Sequence, residues 1–244
     1  MHPILLKIGG LTIYSWGFFV ALAFFIGILY CMSQSEKHNI PKEMILDGAI
    51  YVLIFSIIGS RVFYVIGFWH EYRYNILKIF AVWEGGLVFY GGIIFAFIAL
   101  YFWSRINKVN LLNLLDLISP SVAIGYSIGR IGCFLNGCCY GTACNLPFAV
   151  HFPGIEGFVH PTQIYSSIAG LLIFVVLIFV REHKKFDGQV FVVGLILYSV
   201  YRFINEFFRH NVLHWAFFSP SQWISLLLFF ICLAVFFKKF NLQK

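Results

Sequence analysis

The stretch TQIYSSIAGLLIFVVLIFVR, residues 162–181, decides the fold of this chain. It is twenty residues long, and its only charge is the last residue, Arg181. As an α-helix it rises about 30 Å, the thickness of the hydrocarbon core of a bilayer. In lipid each backbone N–H and C=O must find its partner inside the segment, so such a run is a membrane-crossing helix. Runs of the same kind recur at roughly 11–33, 44–68, 84–103, 111–139, 188–208 and 219–237. The chain therefore reads as one all-α domain, a polytopic membrane protein with about seven transmembrane helices. The run at 111–139 is long for one crossing and closes on a Gly- and Cys-rich segment, which predicts a broken or re-entrant end.

Composition agrees. Of 244 residues, 61% are hydrophobic and 11% charged, whereas a soluble domain carries about 25% charged residues. Mean hydropathy is +0.87. This excludes a disordered chain and leaves no room for a sizeable soluble module. A net charge of +7 is not read as nucleic-acid binding, because in a membrane protein the side on which each Lys and Arg falls matters more than their sum. Lys37, Lys42, Arg105, Lys108, Arg181, Lys184, Lys185, Lys238, Lys239 and Lys244 fall on one side of the predicted spans. Lys7, Arg73, Lys78 and Arg209 fall on the other, and the segment 140–159 has neither Lys nor Arg. The positive-inside bias then puts the N-terminus outside and the C-terminus in the cytoplasm, as an odd number of crossings requires. Met1–Gly10 lacks the basic region and cleavage site of a signal peptide, so the first span is expected to be its own insertion signal.

Arg61, Arg130 and Arg202 fall inside predicted spans, each toward the outer end. A charge at the bilayer centre costs about 2.5–3.5 kcal/mol or more, so such residues usually have a task; snorkelling to the interface is the plainer alternative. Four constellations surround them. Gly129 to Gly141 holds Arg130, Asn136, Cys133, Cys138, Cys139 and four glycines, which let backbone approach a ligand and spoil a regular helix. A packing face of small residues would explain the glycines but not Arg130 or Asn136. Gly85-Gly86 and Gly91-Gly92 flank Tyr90, a pattern that close helix contact alone could explain. His160-Pro161-Thr162-Gln163-Ile164-Tyr165 precedes the 162–181 span; Pro161 suits a first helical turn, and His160 is a base, a phosphate donor or a solvated loop residue. Tyr198, Arg202 and Glu206, spaced four apart, share one helical face, where Arg202 and Glu206 either neutralise each other or present Arg202 to an anion. A polar cavity in the outer leaflet, cationic and suited to phospholipid headgroups, unites these features.

Taken together these motifs, in this order over nearly the whole chain, resemble the prolipoprotein diacylglyceryl transferase family. The resemblance implies transfer of the diacylglyceryl group of phosphatidylglycerol to the thiol of the lipobox cysteine of a preprolipoprotein, with release of glycerol phosphate. It implies a bacterial cytoplasmic membrane enzyme with its active site facing the outer leaflet, and no metal or organic cofactor. Its partners would be phosphatidylglycerol, the lipobox signal peptide and membrane lipid, with no nucleic acid. By the same resemblance Arg130 binds phosphatidylglycerol, Asn136 and Gly141 shape its site, and Tyr198, Arg202 and Glu206 form an essential group on one helix; Tyr198 and Arg61, the latter from its depth alone, are also expected about the lipid. Arg202, Tyr90, His160 and Glu206 are the catalytic candidates, and Arg209 follows them in the motif. The chain departs from the family pattern where Tyr90 replaces a frequent His, Cys133 an Asn, Cys138 a Glu and Ser166 a Glu.

The departures leave a second reading open. Cys133, Cys138, Cys139 and Cys144 fall within twelve residues on the outer side, a thiol site or a disulfide that would staple the helix end. Their spacing is not a C-x-x-C pair, so a metal is the weaker expectation. Thiol, metal or sulfur chemistry on this scaffold, or a non-catalytic phospholipid-binding protein, are the alternatives. Transport would call for an inverted repeat or polar residues at mid-membrane, and the sequence has neither.

Overall fold

The computed structural model describes residues 1–210 and 217–241. Lys244, counted above with the C-terminal basic residues, lies outside the described residues. The chain is an all-α polytopic membrane protein apart from a short N-terminal hairpin, β1 (Ile4–Ile8) and β2 (Leu11–Tyr14). The helices are α1 (Ser15–Gln34), α2 (Lys42–Gly67), α3 (Trp69–Tyr72), α4 (Phe89–Ile106), α5 (Leu111–Asn136), α6 (Thr162–Glu182), α7 (Gln189–Glu206) and α8 (Pro220–Asn241). Six of these, α1, α2, α4, α5, α6 and α8, are long and apolar enough to cross a membrane. The remaining expected span is α7, which carries Arg202, Asn205 and Glu206 and is less apolar than the rest.

Two helix starts lie further along than the sequence predicts. Hydropathy starts the first span at residue 11, but residues 11–14 are β2 and the helix begins at Ser15. Gly9, at φ 58°, allows the two-residue turn that pairs Ile8 with Leu11. Hydropathy starts the third span at residue 84, but α4 begins at Phe89, because Gly85 and Gly86 adopt φ 85° and 72°, outside the helical range.

The chain gathers into two compact units, Met1–Cys31 with Leu115–Lys244, and Met32–Leu114. In the first, small residues let helices approach closely. A Cβ on Gly132 would stand 2.8 Å from Phe19 Cβ, and one on Gly170 3.0 Å from the Ala123 carbonyl. Ser127 Oγ donates to the Ser167 carbonyl (2.7 Å), and Ser167 Oγ donates back to that of Ser127 (2.9 Å). Such contacts replace the hydrophobic drive that lipid does not supply. The irregular end expected of the fourth span falls after Asn136: α5 runs unbroken through Gly129 and Gly132 and stops there, three residues short of the predicted limit. Gly132 is a packing contact.

Asp116, fully buried, tethers α7 to α5. Its carboxylate accepts from the amides of Gly188 (2.8 Å) and Phe191 (3.1 Å), with Lys184 Nζ at 3.4 Å. These amides belong to the first turn of α7, where a helix leaves donors unpaired and favours negative charge.

In the second unit α2 and α4 meet almost backbone to backbone at Gly59 and Gly91. Arg61 is buried at 5% exposure. Its guanidinium donates to five carbonyls, those of Lys78 (2.6 Å), Gly85 (2.7 Å), Ile79 (2.8 Å), Ala81 (3.2 Å) and Gly86 (3.3 Å). It thereby holds the segment between α3 and α4, and its donors are spent on main chain.

Candidate active site

The site is built on the C-terminal end of α5. Gly137 N–H donates to the Phe134 carbonyl (3.1 Å) and Cys138 N–H to that of Cys133 (3.2 Å), with Gly137 at φ 76°. This is the Schellman ending, in which a left-handed residue lets the chain turn back over the last helical turn. Cys139 follows in the left-handed region as well, at φ 66°, which is uncommon for a residue with a Cβ. Two buried side chains at the start of α6 hold it there: Thr162 Oγ1 donates to the Cys139 carbonyl (2.7 Å) and Gln163 Nε2 to that of Cys138 (2.6 Å).

The chain then runs back toward the end of α7. Gly141 N–H donates to the His160 carbonyl (2.8 Å), and Thr142 N–H to that of Phe208 (2.9 Å). A Cβ on Gly141 would collide with the Phe208 carbonyl and lie 2.7 Å from His160 Cβ. Only glycine permits this approach. His160 Nδ1 shares a hydrogen bond of 3.0 Å with Tyr165 Oη, and its ring packs edge-on against Phe208 at 5.1 Å. Beside it lies an almost wholly apolar cavity of about 420 Å³, lined by Leu146, Phe148, His160, Tyr165, Tyr201, Ile204, Asn205 and Phe208. Asn205 Oδ1 is buried with no hydrogen-bond partner among the described residues.

Arg130 is half-buried nearly two turns before the end of α5, with its guanidinium 4.8 Å from the centre of the Tyr126 ring. Tyr126 in turn packs edge-on against Tyr198 (5.7 Å) and Tyr201 (6.3 Å) of α7. Among the described residues no hydrogen bond or ion pair occupies the Arg130 guanidinium. Arg202 differs. It pairs with Glu206 through Nη1 and donates from Nη2 to Ser221 Oγ (2.9 Å). Glu206, buried, also accepts from Ser219 Oγ (3.0 Å) and lies 3.6 Å from Arg209 Nη1. Both its oxygens are therefore engaged. Tyr201 Oη donates to Ser166 Oγ, at one of the departures from the family pattern.

The structure thus gathers Arg130, Gly141, His160, Tyr198, Arg202, Glu206 and Arg209 on elements of the first unit. Asn136, the last residue of α5, is exposed. Arg61 and Tyr90 lie in the second unit, Tyr90 exposed near the start of α4. Cys133, Cys138 and Cys139 bring their sulfurs within 4.8 Å of one another. Hydrogen bonds from the other two thiols, with the positive charges of Arg130 and Arg209, hold the Cys139 thiol below its ordinary range. Cys144 stands apart from that group; it is buried and its sulfur accepts from the Leu146 amide at 3.4 Å. All six cysteines are free thiols.

Several partners escaped the sequence reading. Tyr126 lies four residues before Arg130, a helical spacing that points to a stacked pair. Ser219 and Gln222 form a capping box at the start of α8, Ser219 N–H donating to Gln222 Oε1 (2.9 Å) and Gln222 N–H to Ser219 Oγ (3.2 Å). The string Ser219-Pro220-Ser221-Gln222 carries that signal, with Pro at the first helical position. Nothing local marks Thr162 and Gln163 as the residues that grip the cysteine turn.

Comparison with known proteins converges on one description. The family model of prolipoprotein diacylglyceryl transferase matches residues 3–238. A phosphatidylglycerol–prolipoprotein diacylglyceryl transferase of Finegoldia magna is 36% identical over 227 residues, covering 93% of this chain and 91% of that protein. Proteins of the same name from Listeria monocytogenes (34% identical; 96% of this chain and 88% of that one) and Clostridioides difficile (33%; 93% and 91%) are similar over comparable lengths.

Proposed function

The chain belongs to the prolipoprotein diacylglyceryl transferase family, and on that premise we propose that it transfers the diacylglyceryl group of phosphatidylglycerol to the cysteine thiol of a prolipoprotein lipobox. A C–S bond forms as the C–O bond to phosphate breaks, the thiol proton passes to a base, and glycerol phosphate leaves as an anion. The observation that carries this reading is Arg130, a half-buried guanidinium whose donors no protein group takes among the described residues. A fork of N–H groups in a poorly hydrated site binds a phosphate through two parallel hydrogen bonds and stabilises the charge that grows on it as the bond breaks.

Arg202 is the second cation, aimed by Glu206, Ser219 and Ser221. With both oxygens engaged, Glu206 is a positioning residue in this scheme rather than the base. His160 is the better base: it lines the cavity, and Tyr165 orients its ring through Nδ1. The cavity wall suits the apolar side chains of a lipobox or the upper part of an acyl chain. Tyr90 enters only through its place in the family pattern, and Arg61 as the residue that holds its loop rather than as a lipid ligand. We place the site toward the outer leaflet of a bacterial cytoplasmic membrane, with α7 as the seventh crossing, its polar side chains paired with the start of α8.

The test is transfer in detergent from labelled phosphatidylglycerol to a lipobox peptide. Arg130→Ala is expected to cut the rate at least about 100-fold, or about 2.7 kcal/mol, with an unchanged melting profile. Arg130→Lys keeps the charge but not the fork and should fall between. An unchanged rate in Arg130→Ala, or no thioether product from folded wild-type protein, sinks the reading.

A further inference from the structure

The three thiols at the end of α5 have no part in the transfer scheme above. Their convergence follows from the local backbone. In a Schellman ending the residue three places inside the helix end meets the residue just beyond the left-handed turn, and here these are Cys133 and Cys138. The left-handed backbone of Cys139 then brings a third thiol to the pair. Cys138 and Cys139 sulfurs are 3.5 Å apart, and all three lie within 4.8 Å of one another. An ion bound by thiolates at about 2.3 Å in tetrahedral geometry spaces its sulfurs about 3.8 Å apart, inside that range.

The turn is also pre-formed. A residue with a side chain is strained in the left-handed region, and it persists there only where the surroundings impose it. Here buried Thr162 and Gln163 impose it, each through a hydrogen bond to a cysteine carbonyl. Positive charge lies close by as well, since Arg130 and Arg209 are near enough to bear on Cys139. Three thiolates round a divalent ion carry one net negative charge, which two guanidiniums offset. Oxygen-seeking ions are excluded by a donor set made of sulfur alone.

We propose that Cys133, Cys138 and Cys139 form a binding site for one thiophilic metal ion of the zinc(II) or copper(I) class. Three sulfurs complete the shell of copper(I) and leave a fourth position open on zinc(II), on the side where Cys139 is exposed. Metal uptake by these thiols is independent of lipid transfer, so the two can fail separately.

The experiment uses the full chain, purified in detergent without air and with reductant, stripped with a chelator, its free thiols counted. Zinc(II) alone and copper(I) alone are titrated in separate arms against chromophoric competitors, and cobalt(II) is added as a spectroscopic probe. One zinc or copper ion per chain and a sulfur-to-cobalt charge-transfer band are expected. The triple variant Cys133→Ser/Cys138→Ser/Cys139→Ser should bind at least 100-fold more weakly and lose the band, while Cys144→Ser keeps both. Should the triple variant not fold, Cys139→Ser alone must weaken binding at least tenfold. Undiminished binding in these variants overturns the site. So does failure of the reduced wild-type chain, its thiols all countable, to take either ion, or isolation from metal-replete cells with a disulfide between two of the three.

Discussion

Arg130, Arg202 and Arg61 are the same amino acid at a similar distance from a helix end, yet they do different things. What separates them is the fate of their N–H groups. Arg61 gives all it can reach to five carbonyls, and Arg202 gives part to Glu206 and Ser221. Arg130 gives none among the described residues, so it alone meets a phosphate without first breaking a bond. Gly141 makes the complementary point about space. Its neighbours include the Phe208 carbonyl, a backbone atom that cannot swing aside as a side-chain tip can. Gly141→Ala is therefore expected to cost about 1–3 kcal/mol of stability and to lose most transfer activity by prising the 141–142 segment from His160 and Phe208. Thermal melting and the transfer assay check this together; an unaltered midpoint and rate would show that the approach is looser than it looks.

At the scale of the element, α7 is the helix least at home in lipid, and it is secured at both ends. Asp116 meets the amides at its start, and the Arg202–Glu206–Ser219 cluster ties its end to the capping box of α8. Asp116→Ala removes a buried acceptor from two amides and from Lys184, a loss on the order of 3 kcal/mol. The expected result is a thermal midpoint lower by about 5–10 °C. Hydrogen exchange should be fastest in the first turn of α7; protection there equal to wild type would assign the anchoring elsewhere. The end of α5 shows how much a single motif can fix. One left-handed glycine reverses the chain, gathers three cysteines and leaves Arg130 nearly two turns away.

For the whole molecule the question is how often the chain crosses the bilayer. Among the described residues six helices qualify by length and apolarity, and the proposal above adds α7 as a seventh. Seven crossings with the observed bias of Lys and Arg leave the C-terminus in the cytoplasm. A fluorescent protein fused after Lys244 should then fluoresce, and alkaline phosphatase at the same point should be inactive. The reverse pattern would mean an even number of crossings or inverted insertion.

The class of the protein is legible in its residues alone. Runs of about twenty apolar residues have only one way to satisfy their backbone in lipid, so helices and their approximate limits were legible from composition and length. The sequence also singled out most charged residues of the candidate site, because charges inside apolar runs are conspicuous. Its errors were local: residues 11–14 and 84–88 are apolar enough for a span, but strand pairing across the Gly9 turn and the positive φ of Gly85 and Gly86 delay the helix starts, and hydropathy does not register φ. It likewise read Gly129 and Gly132 as helix breakers, where α5 stays helical through both. What only the tertiary structure decided was which polar groups are already taken. Arg61 and Arg130 look equivalent along the chain, and Cys144 looks like its three neighbours. The partners that distinguish them come from distant segments, and a hydrogen bond between distant residues leaves no mark on either one's local sequence.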